Sequence, residues 1–253
     1  MDIDLIEIEK SLMVVYQKNL SFLKENFFDI FEKVENLSQN IAEAKVIEKY
    51  SLELKGSYFD ILNLENNGYY YACNSYQDAE ERASYVDFTA NSSFDLLRKN
   101  GVSHKLSMPY GLDNVLPIVG FINEKVDFEK VEFQKIMKFI YIGVGLGYHI
   151  HEMEKKIESY TTLIIEPELE IFRLSLFTMD YSIFEEGNRK LFMYVGDDTK
   201  EREKVVSDFY YYHNYMNYNI KHHLFWINYE YLLNELIDYL CSEKSSYVTG
   251  STF

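Results

Sequence analysis

Three glycines that alternate with apolar residues form the part of this chain best suited to hold a ligand. Gly143, Gly145 and Gly147 follow a short apolar run and precede a segment with helical character. Glycine has no Cβ atom, so such a turn can adopt positive φ angles and let the backbone approach a bound molecule closely. The free N–H groups at the start of the following helix would favour a phosphate or carboxylate. The pattern therefore predicts a turn that binds an anionic part of a ligand.

Two acidic residues follow the glycine turn at positions that suggest further ligand contacts. Glu166 ends a second apolar run about 20 residues beyond the turn, where a carboxylate can accept hydrogen bonds from ribose hydroxyls. Asp197 follows a third apolar run and would lie at the same edge of a sheet, against a base or sugar. The alternative is structural: Glu166 would cap a helix that begins at Leu169, and Asp198 would cap the next helix. For Asp198 we favour the capping role.

The spacing of the glycines argues against the common dinucleotide cofactors. The turn is G-x-G-x-G, and Tyr148 occupies the position of the third glycine in the dinucleotide-binding pattern G-x-G-x-x-G. NAD and FAD are therefore disfavoured. The glycines could also serve only as a tight joint between strand and helix, and this alternative stays open because such folds carry many functions.

Alternating strands and helices are expected to position these residues. Strands are predicted at 139–142, 163–165, 190–195 and 222–227. Helices are predicted at 148–157, 169–179, 199–213 and 231–243. This alternation indicates a parallel sheet, so we assign residues 106–253 to a Rossmann-like α/β domain.

A smaller helical α+β region is expected in residues 1–105. Apolar residues at three- and four-residue spacing predict helix from Ile3 to about Ile47. Three short strands then predict an antiparallel meander, with Asn66-Asn67-Gly68 as its second turn. The strands are predicted at 50–54, 59–62 and 69–72, further helices at 76–86 and 94–99, an ordered connection at 106–126, and a helix at 128–137.

The composition limits the classes of partner. The formal net charge of −16 would repel nucleic acid and an anionic membrane, so neither is expected as a partner. The first residues lack a basic leader, and no apolar run approaches membrane-spanning length. The cysteines, Cys73 and Cys241, form no C-x-x-C pair, so no disulfide framework is indicated. We therefore expect a cytoplasmic protein.

Catalytic residues cannot be assigned from motifs. The sequence contains no G-x-S-x-G elbow, no P-loop and no H-E-x-x-H. The pairs His149/His151 and His222/His223 lack the i, i+4 spacing of a helical zinc site, so no metal is expected. The sequence predicts a crevice without an evident reaction.

Three segments carry a family resemblance: KNLSFLKENF at Lys18–Phe27, FIYIGVGLGYHI at Phe139–Ile150, and IIEPELEIFRLSLFTMDYS at Ile164–Ser182. They resemble segments of motility accessory factor (Maf) proteins, which are bacterial flagellin glycosyltransferases. The last is the most specific, because it joins E-P-x-x-E-x-F to L-F-x-x-D-Y-S. The resemblance implies a cytoplasmic protein that acts on flagellin. Such proteins transfer a nonulosonic acid, such as pseudaminic or legionaminic acid, from its CMP-activated form to Ser or Thr.

The family resemblance is limited to an amino-terminal region. Family members are much longer, and their catalytic domain has a G-x-G-P-S type turn that is absent here. We therefore expect a region without the catalytic domain, which could bind a nucleotide or nucleotide sugar, dimerise, or position flagellin. One alternative is a methyltransferase that binds S-adenosylmethionine through the glycine turn, Glu166 and Asp197. Another is a non-catalytic recognition or scaffold module, which a crevice filled by Tyr148 and its neighbours would favour.

Overall fold

The structure of the protein is a computed structural model that describes residues 5–71, 73–86, 88, 134–214, 216 and 220–241. These residues form a mixed α/β fold with an antiparallel sheet of three strands and a parallel sheet of four strands. The expected fold class is therefore confirmed. The predictions at 94–99, 106–126 and 128–133 lie outside the described residues. The domain boundary near residue 105 lies there too and stays a prediction.

The helix predicted at the amino terminus forms as two helices. Helix α1 comprises Leu5–Asn26 and α2 comprises Phe28–Ala42. The break falls at Phe27, whose φ of −143° and ψ of 61° are not helical. The N–H of Phe27 still donates to the carbonyl of Leu23 at 2.7 Å. The two helices contact each other and contribute to the same hydrophobic core.

The predicted antiparallel meander follows these helices. Its strands are β1 (Tyr50–Lys55), β2 (Tyr58–Asn63) and β3 (Gly68–Tyr69). In the turn before β3, the N–H of Gly68 donates to the side-chain oxygen of Asn66 at 2.8 Å, and Asn67 has a φ of 55°. Strand β3 is shorter than predicted. The N–H of Tyr70 still donates to the carbonyl of Ile61 at 3.0 Å, but that of Tyr71 donates to the side chain of Asp60 at 3.2 Å. The rings of both tyrosines pack against residues that follow the parallel sheet.

The predicted parallel sheet is also present. Its strands are β4 (Lys138–Ile142), β5 (Thr161–Glu166), β6 (Lys190–Val195) and β7 (Ile220–Leu224). They lie in the order β6-β5-β4-β7. Residues 134–137, the end of the helix predicted at 128–137, are not helical and lead directly into β4.

Helices flank the sheet close to their predicted positions. They are α3 (Ser75–Ser84), α4 (Tyr148–Ile157), α5 (Leu169–Ser175), α6 (Thr199–Tyr211) and α7 (Glu230–Cys241), with short 3₁₀ turns at Tyr181–Glu185 and Ile227–Tyr229. Helix α5 ends at Ser175, earlier than predicted. In the part of the chain that the structure describes, no helix is long and apolar enough to cross a membrane.

Strand β4 is buried on both faces, as expected for a central parallel strand. Phe139 and Tyr141 face one hydrophobic cluster, and Ile140 and Ile142 face the other. The first cluster also contains Tyr16 and other residues of α1 and α2. The amino-terminal helices and the parallel sheet therefore share one core.

Two of the segments that resemble Maf proteins contact each other through Asn19. This side chain is fully buried. Its amide nitrogen donates to the carbonyls of Leu176 and Met179 at 2.8 and 2.6 Å. Its oxygen accepts from the N–H of Tyr181 at 2.9 Å. Asn19 therefore joins α1 to the segment between α5 and β6.

Replacement of Asn19 by alanine should lower the free energy of unfolding by about 2 kcal/mol, because three buried backbone groups lose their partner. The neighbouring Lys18 pairs with Asp180 at 2.6 Å, but both side chains are largely exposed. Lys18→Ala is therefore a matched control with an expected loss of about 0.5 kcal/mol. Urea unfolding of both variants measures the difference, and equal losses would contradict the role given to Asn19.

Candidate functional site

The order of the parallel strands creates one position where a ligand crevice is expected. Strands β5 and β6 lie on one side of β4, and β7 lies on the other. The carboxyl ends of β4 and β7 are therefore the topological switch point of the sheet. In open α/β sheets, ligands bind in the crevice at such a point. The glycine turn directly follows β4 and lies at this crevice.

The three glycines adopt the positive φ angles expected from the sequence. The φ angles of Gly143, Gly145 and Gly147 are 89°, 48° and 78°. The N–H of Gly143 donates to the carbonyl of Ile165 at 2.8 Å, which extends the pairing of β4 with β5 by one residue. The glycines thus form the joint between β4 and α4, whether or not they also meet a ligand.

The space in front of the first two glycines is filled by aromatic side chains. A Cβ atom added at Gly145 would lie 2.5 Å from the Phe225 ring and 2.6 Å from the Tyr71 hydroxyl. One added at Gly143 would lie 2.9 Å from the Tyr229 ring. The close approach that glycine allows is therefore made by the chain's own aromatic residues.

The space in front of the third glycine, Gly147, is filled by the segment after α5. A Cβ atom at Gly147 would lie 2.6 Å from the side chain of Met179. The neighbouring Thr178 hydroxyl donates to the carbonyl of Leu146 at 2.7 Å. The start of α4 is therefore held against a segment that belongs to the Maf-like motif.

We call Tyr70, Tyr71, Phe225, Trp226 and Tyr229 the aromatic plug. The ring centroids of Tyr70 and Trp226 are 3.9 Å apart, and those of Tyr71 and Phe225 are 5.7 Å apart. The Tyr71 hydroxyl also accepts from the N–H of Leu146 at 2.9 Å. The plug closes the crevice from two directions, the end of the meander and the segment after β7.

The scaffold alternative considered a crevice filled by Tyr148 and its neighbours, but the atoms nearest to Gly143 and Gly145 belong to Phe225, Tyr71 and Tyr229 and not to Tyr148. The ring of Tyr148 packs on Tyr76 of α3 at 4.5 Å between centroids, and the two hydroxyls are 3.3 Å apart. The crevice is filled, as the scaffold alternative requires, but by other residues. The plug was missed because its members are far from the glycine turn in the sequence. The aromatic runs at Tyr69–Tyr71 and Phe225–Trp226, each at the end of a strand, were the available signal.

Glu166 lies against the glycine turn, and the chain itself uses both of its carboxylate oxygens. One oxygen accepts from the N–H of Val144 at 2.8 Å. The other accepts from the N–H of Glu168 at 3.0 Å and the hydroxyl of Tyr229 at 2.9 Å. The side chain is fully buried. Glu166 therefore joins the turn after β4, the loop after β5 and the aromatic plug.

Burial raises the pKa of Glu166 to about 7, and the hydrogen bonds from Val144, Glu168 and Tyr229 offset only part of this effect. The folded state therefore holds the proton more tightly than the unfolded chain, whose reference pKa is 4.5. The stability that comes from this difference is complete below the unfolded pKa and is lost as the pH rises through 7.

Between pH 5 and pH 8, we expect this group to lower the free energy of unfolding by about 2 kcal/mol. Urea unfolding of the wild type and of Glu166→Gln over this range isolates the effect. The variant has no titrating group at this position, so its stability should fall less with pH. Parallel pH profiles would contradict the assignment, whatever the absolute stability of the variant.

Asp197 and Asp198 have different environments. Asp197 is exposed beyond the end of β6, whereas Glu166 is fully buried. The backbone N–H of Gly196 reaches the carbonyl of Glu166 at 3.0 Å, so the two strand ends do meet. The side chain of Asp198 accepts from the N–H groups of Lys200 and Glu201 at 2.8 and 2.9 Å. The predicted capping role of Asp198 is thereby confirmed.

The residues of the E-P-x-x-E-x-F motif serve the fold in this structure. Glu170 is buried and accepts from the N–H groups of Lys49 and Tyr50 at 2.8 and 3.1 Å, which holds the start of β1 against α5. Phe172 is fully buried in the core. Glu166 was also considered as a cap for α5. Its side chain accepts from the N–H of Glu168, which lies directly before the first helical residue, Leu169, and not from an N–H of the helix itself.

The histidine pairs do not assemble a metal centre in the described ranges, where no group of three or more His, Cys, Asp or Glu side chains is suited to hold an ion. His149 is buried and His151 is exposed. The ring of His149 packs on His223, with centroids 5.0 Å apart. Ligand binding by Gly143, Gly145, Gly147, Glu166 and Asp197 stays a prediction, and it would require the aromatic plug to move.

Comparison with known proteins identifies the family. Residues 15–249 match the family model described as the glycosyltransferase Maf N-terminal domain. A search of curated protein sequences gave no significant match.

A solved structure agrees with this match. The MAf glycosyltransferase from Magnetospirillum magneticum AMB-1 is similar in fold, with a TM-score of 0.52 and 13% sequence identity. The similarity covers 78% of this chain and 30% of that chain. This chain therefore spans less than a third of the solved glycosyltransferase.

Proposed function

Because this chain belongs to the Maf glycosyltransferase N-terminal domain family, we propose that it acts in flagellin O-glycosylation as a non-catalytic recognition and scaffold region. In this proposal, a nonulosonic acid such as pseudaminic or legionaminic acid passes from its CMP-activated form to Ser or Thr of flagellin. The transfer step takes place in a region that this sequence does not include. The chain presents flagellin to that region.

The observation that carries the proposal is the closed crevice at the switch point. The aromatic plug fills the space in front of Gly143 and Gly145. The oxygens of Glu166 are occupied by Val144, Glu168 and Tyr229, so a ribose hydroxyl would have to displace one of these donors. A nucleotide could bind only if the plug moved and a donor to Glu166 was displaced. A scaffold role requires neither change.

The motif residues support the same proposal. Asn19, Glu170 and Met179 belong to the segments that resemble Maf proteins, and each connects two parts of the fold. These contacts stabilise the arrangement of α1, the meander and the parallel sheet. The specific sequence signal is then a signal for a scaffold, and the family resemblance does not by itself require catalysis by these residues.

The crevice can be tested directly, because Trp226 is the single tryptophan of the sequence and lies in the aromatic plug. Displacement of the plug by a ligand should therefore change the fluorescence of Trp226. We expect CMP, CMP-legionaminic acid and S-adenosylmethionine to leave this fluorescence unchanged. Calorimetry with the same three compounds should give no binding that depends on Asp197, with Asp208→Asn as the matched control for Asp197→Asn.

Two results would overturn the proposal. Saturable binding that shifts Trp226 fluorescence and is weakened by Asp197→Asn, but not by Asp208→Asn, would make the crevice a working site. S-adenosylmethionine alone would then favour the methyltransferase, and the CMP compounds a nucleotide-sugar site. The recognition role is tested separately by biolayer interferometry with unglycosylated flagellin monomer. Failure of flagellin to bind the immobilised chain would contradict it.

A further inference from the structure

A groove lies between α1, strand β1 and the end of α5. It has a volume of about 380 Å³. Leu12 and Met13 line it from α1, Ser51 and Leu52 line it from β1, and Phe177 lines it from the segment after α5. Its lining among the described residues includes no member of the glycine turn or of the aromatic plug. We call it the α1–β1 groove.

The apolar part of the groove is formed by side chains that are already held in place. Leu174 is only 4% exposed. The ring of Phe177 stacks on that of Tyr16, with centroids 4.2 Å apart and an angle of 11° between the planes. Met13 on the opposite wall is 46% exposed, so the groove is open to solvent. The groove is therefore a preformed apolar surface, as binding sites commonly are.

The outer edge of β1 forms one border of this groove. Strand β1 lies at the edge of the antiparallel sheet, whose order is β1-β2-β3. Leu52 lies opposite Ile61, and the carbonyl of Ile61 accepts from the N–H of Tyr70 on the other side of β2. Leu52 and Ile61 are thus a pair without hydrogen bonds to each other, and the backbone groups of Leu52 point away from β2. Leu54, two positions further, has the same orientation.

Helix α5 occupies this outer edge at its first position only. The N–H of Tyr50 donates to the side chain of Glu170 at 3.1 Å, so the outer edge faces α5 there. For the next outward positions, Leu52 and Leu54, the described residues supply no partner on this side. An edge strand with such N–H and carbonyl groups is a template for a further strand. The groove therefore combines an apolar surface with a backbone edge that can bind an extended chain.

The charges of the lining favour a basic partner. Arg173 is paired with Glu48, so these two charges offset each other. Glu9 on α1 also lines the groove and is exposed, and no described residue forms an ion pair with it. The net charge of the lining is therefore negative, which complements a Lys or Arg side chain. A second copy of this chain would bring the same carboxylates and a net charge of −16, so it is a poorer partner.

We propose that the α1–β1 groove binds an extended segment of a partner protein, which adds a strand to the outer edge of β1. Backbone groups of Leu52 and Leu54 bond to the added strand, and the apolar lining takes alternate side chains, as in known cases of strand addition. A Lys or Arg of the segment lies near Glu9. The proposal goes beyond the scaffold role, because it depends neither on the glycine crevice nor on flagellin as the partner.

Fluorescence polarisation with three labelled peptides tests the proposal on the whole chain. Each peptide has the central sequence Val-Thr-Val-Thr-Val, flanked at both ends by lysine, by serine or by glutamate. We expect the lysine peptide to bind saturably and the serine peptide to bind about threefold more weakly, as for the loss of an exposed ion pair. The glutamate peptide should bind more weakly still.

N-methylation of the lysine peptide tests for recognition of its backbone. One peptide is methylated on two valine nitrogens and the other on both threonine nitrogens. Alternate residues of an added antiparallel strand direct their N–H groups towards β1, so only one of these two sets is used. One methylated peptide should therefore bind about tenfold more weakly, and the other should bind like the parent peptide.

Variants of the chain locate the site. The N–H of Leu52 points outward, so Leu52→Pro removes a donor from the edge and leaves the bonds to β2 in place. Leu52→Ala is the matched control, because it loses the leucine side chain and keeps the N–H. The lysine peptide should bind Leu52→Pro about tenfold more weakly than Leu52→Ala. Glu9→Lys should weaken its binding about threefold, whereas Glu203→Lys, at an exposed position of α6, should not.

NMR of the wild type decides if Leu52→Pro does not fold. In a ¹⁵N-leucine sample, the amide signal of Leu52 is identified by its absence from the spectrum of Leu52→Ala. It should shift and exchange more slowly with solvent when the lysine peptide binds. An unchanged Leu52 signal at saturation would overturn the proposal.

Three other results would also overturn it. They are failure of the lysine peptide to bind, equal binding of both N-methylated peptides, and a concentration-dependent dimer in sedimentation that Leu52→Pro abolishes. The last result would assign the edge of β1 to a second copy of the chain. The scaffold role is tested by the crevice ligands and by flagellin, so failure of the peptide experiments leaves it intact.

Discussion

Replacement of Glu166 by alanine should lower the free energy of unfolding by about 4 kcal/mol, since buried donors and packed atoms lose their partner together. Three donors, the N–H groups of Val144 and Glu168 and the hydroxyl of Tyr229, would lose their acceptor. The relief of burying a carboxyl group with a raised pKa reduces the loss but does not remove it. Urea unfolding at about pH 6, where Glu166 is largely protonated, measures the change.

The matched control is Glu168→Ala. Glu168 lies two positions along the chain, and its side chain is only partly buried. Its nearest cation is Lys49, at 3.9 Å, and that pair is largely solvent-exposed. The backbone N–H of Glu168 still reaches Glu166 in this variant. We expect a loss of less than about 1 kcal/mol. Equal losses for the two variants would mean that Glu166 does not hold the three segments together.

The fluorescence of Trp226 gives this prediction a local readout. Glu166 holds Tyr229, whose ring centroid is 6.5 Å from that of Trp226. Loss of the carboxylate should therefore loosen the plug, and the emission of Trp226 should shift to longer wavelength at urea concentrations below the global transition. Glu168→Ala should show no such shift. A coincident fluorescence and circular-dichroism transition in Glu166→Ala would indicate that the plug stays in place without Glu166.

The sequence predicted the order of elements because each carries its own local signal. The runs that became β4 and β6 are apolar and bounded by glycine, and α4 begins directly after Gly147 as expected. The residue type and position of Asp198 predicted that α6 begins directly after it. The parallel direction of the strands also follows from the alternation of strand and helix, since parallel strands need crossover connections. Their spatial order, β6-β5-β4-β7, was not predicted.

The closure of the crevice could not be predicted, because it depends on contacts between distant parts of the chain. Tyr71 reaches Leu146 across 75 positions, and Tyr229 reaches Glu166 across 63. No local periodicity marks such pairs. The same three glycines are compatible with an open or a filled crevice, since either a ligand or a side chain can take the place of the missing Cβ. The distinction depends on tertiary packing alone.

Gly145→Ala should lower the free energy of unfolding by about 4 kcal/mol, from backbone strain and overpacking together. Its φ of 48° disfavours any residue with a Cβ atom. The added atom would also lie 2.5 Å from the Phe225 ring and 2.6 Å from the Tyr71 hydroxyl. The larger Gly145→Val should cost more for the same reasons.

Gly187→Ala separates the two causes. Gly187 has a φ of 68°, but a Cβ atom there would have no neighbour within 4 Å. It should therefore show only the backbone strain, about 1 kcal/mol. Urea unfolding measures the loss of unfolding free energy in each variant. The difference between the two losses is the cost of the steric overlap between the added Cβ atom and the aromatic plug. A difference close to zero would mean that the plug yields easily, and the crevice would then be open to a ligand at little cost.

A double-mutant cycle attributes that difference to a single ring. Phe225→Leu removes the ring atoms nearest to Gly145 while it keeps an apolar side chain. In this background, Gly145→Ala should cost less by at least about 1 kcal/mol, because contacting residues couple when one relieves the strain of the other. Phe225→Leu combined with Gly187→Ala is the control. The losses of unfolding free energy of these two substitutions should be additive, because the two sites are not in contact. If Phe225→Leu leaves the cost of Gly145→Ala unchanged, the plug does not press on the glycine turn, and the closed crevice does not support the proposed scaffold role.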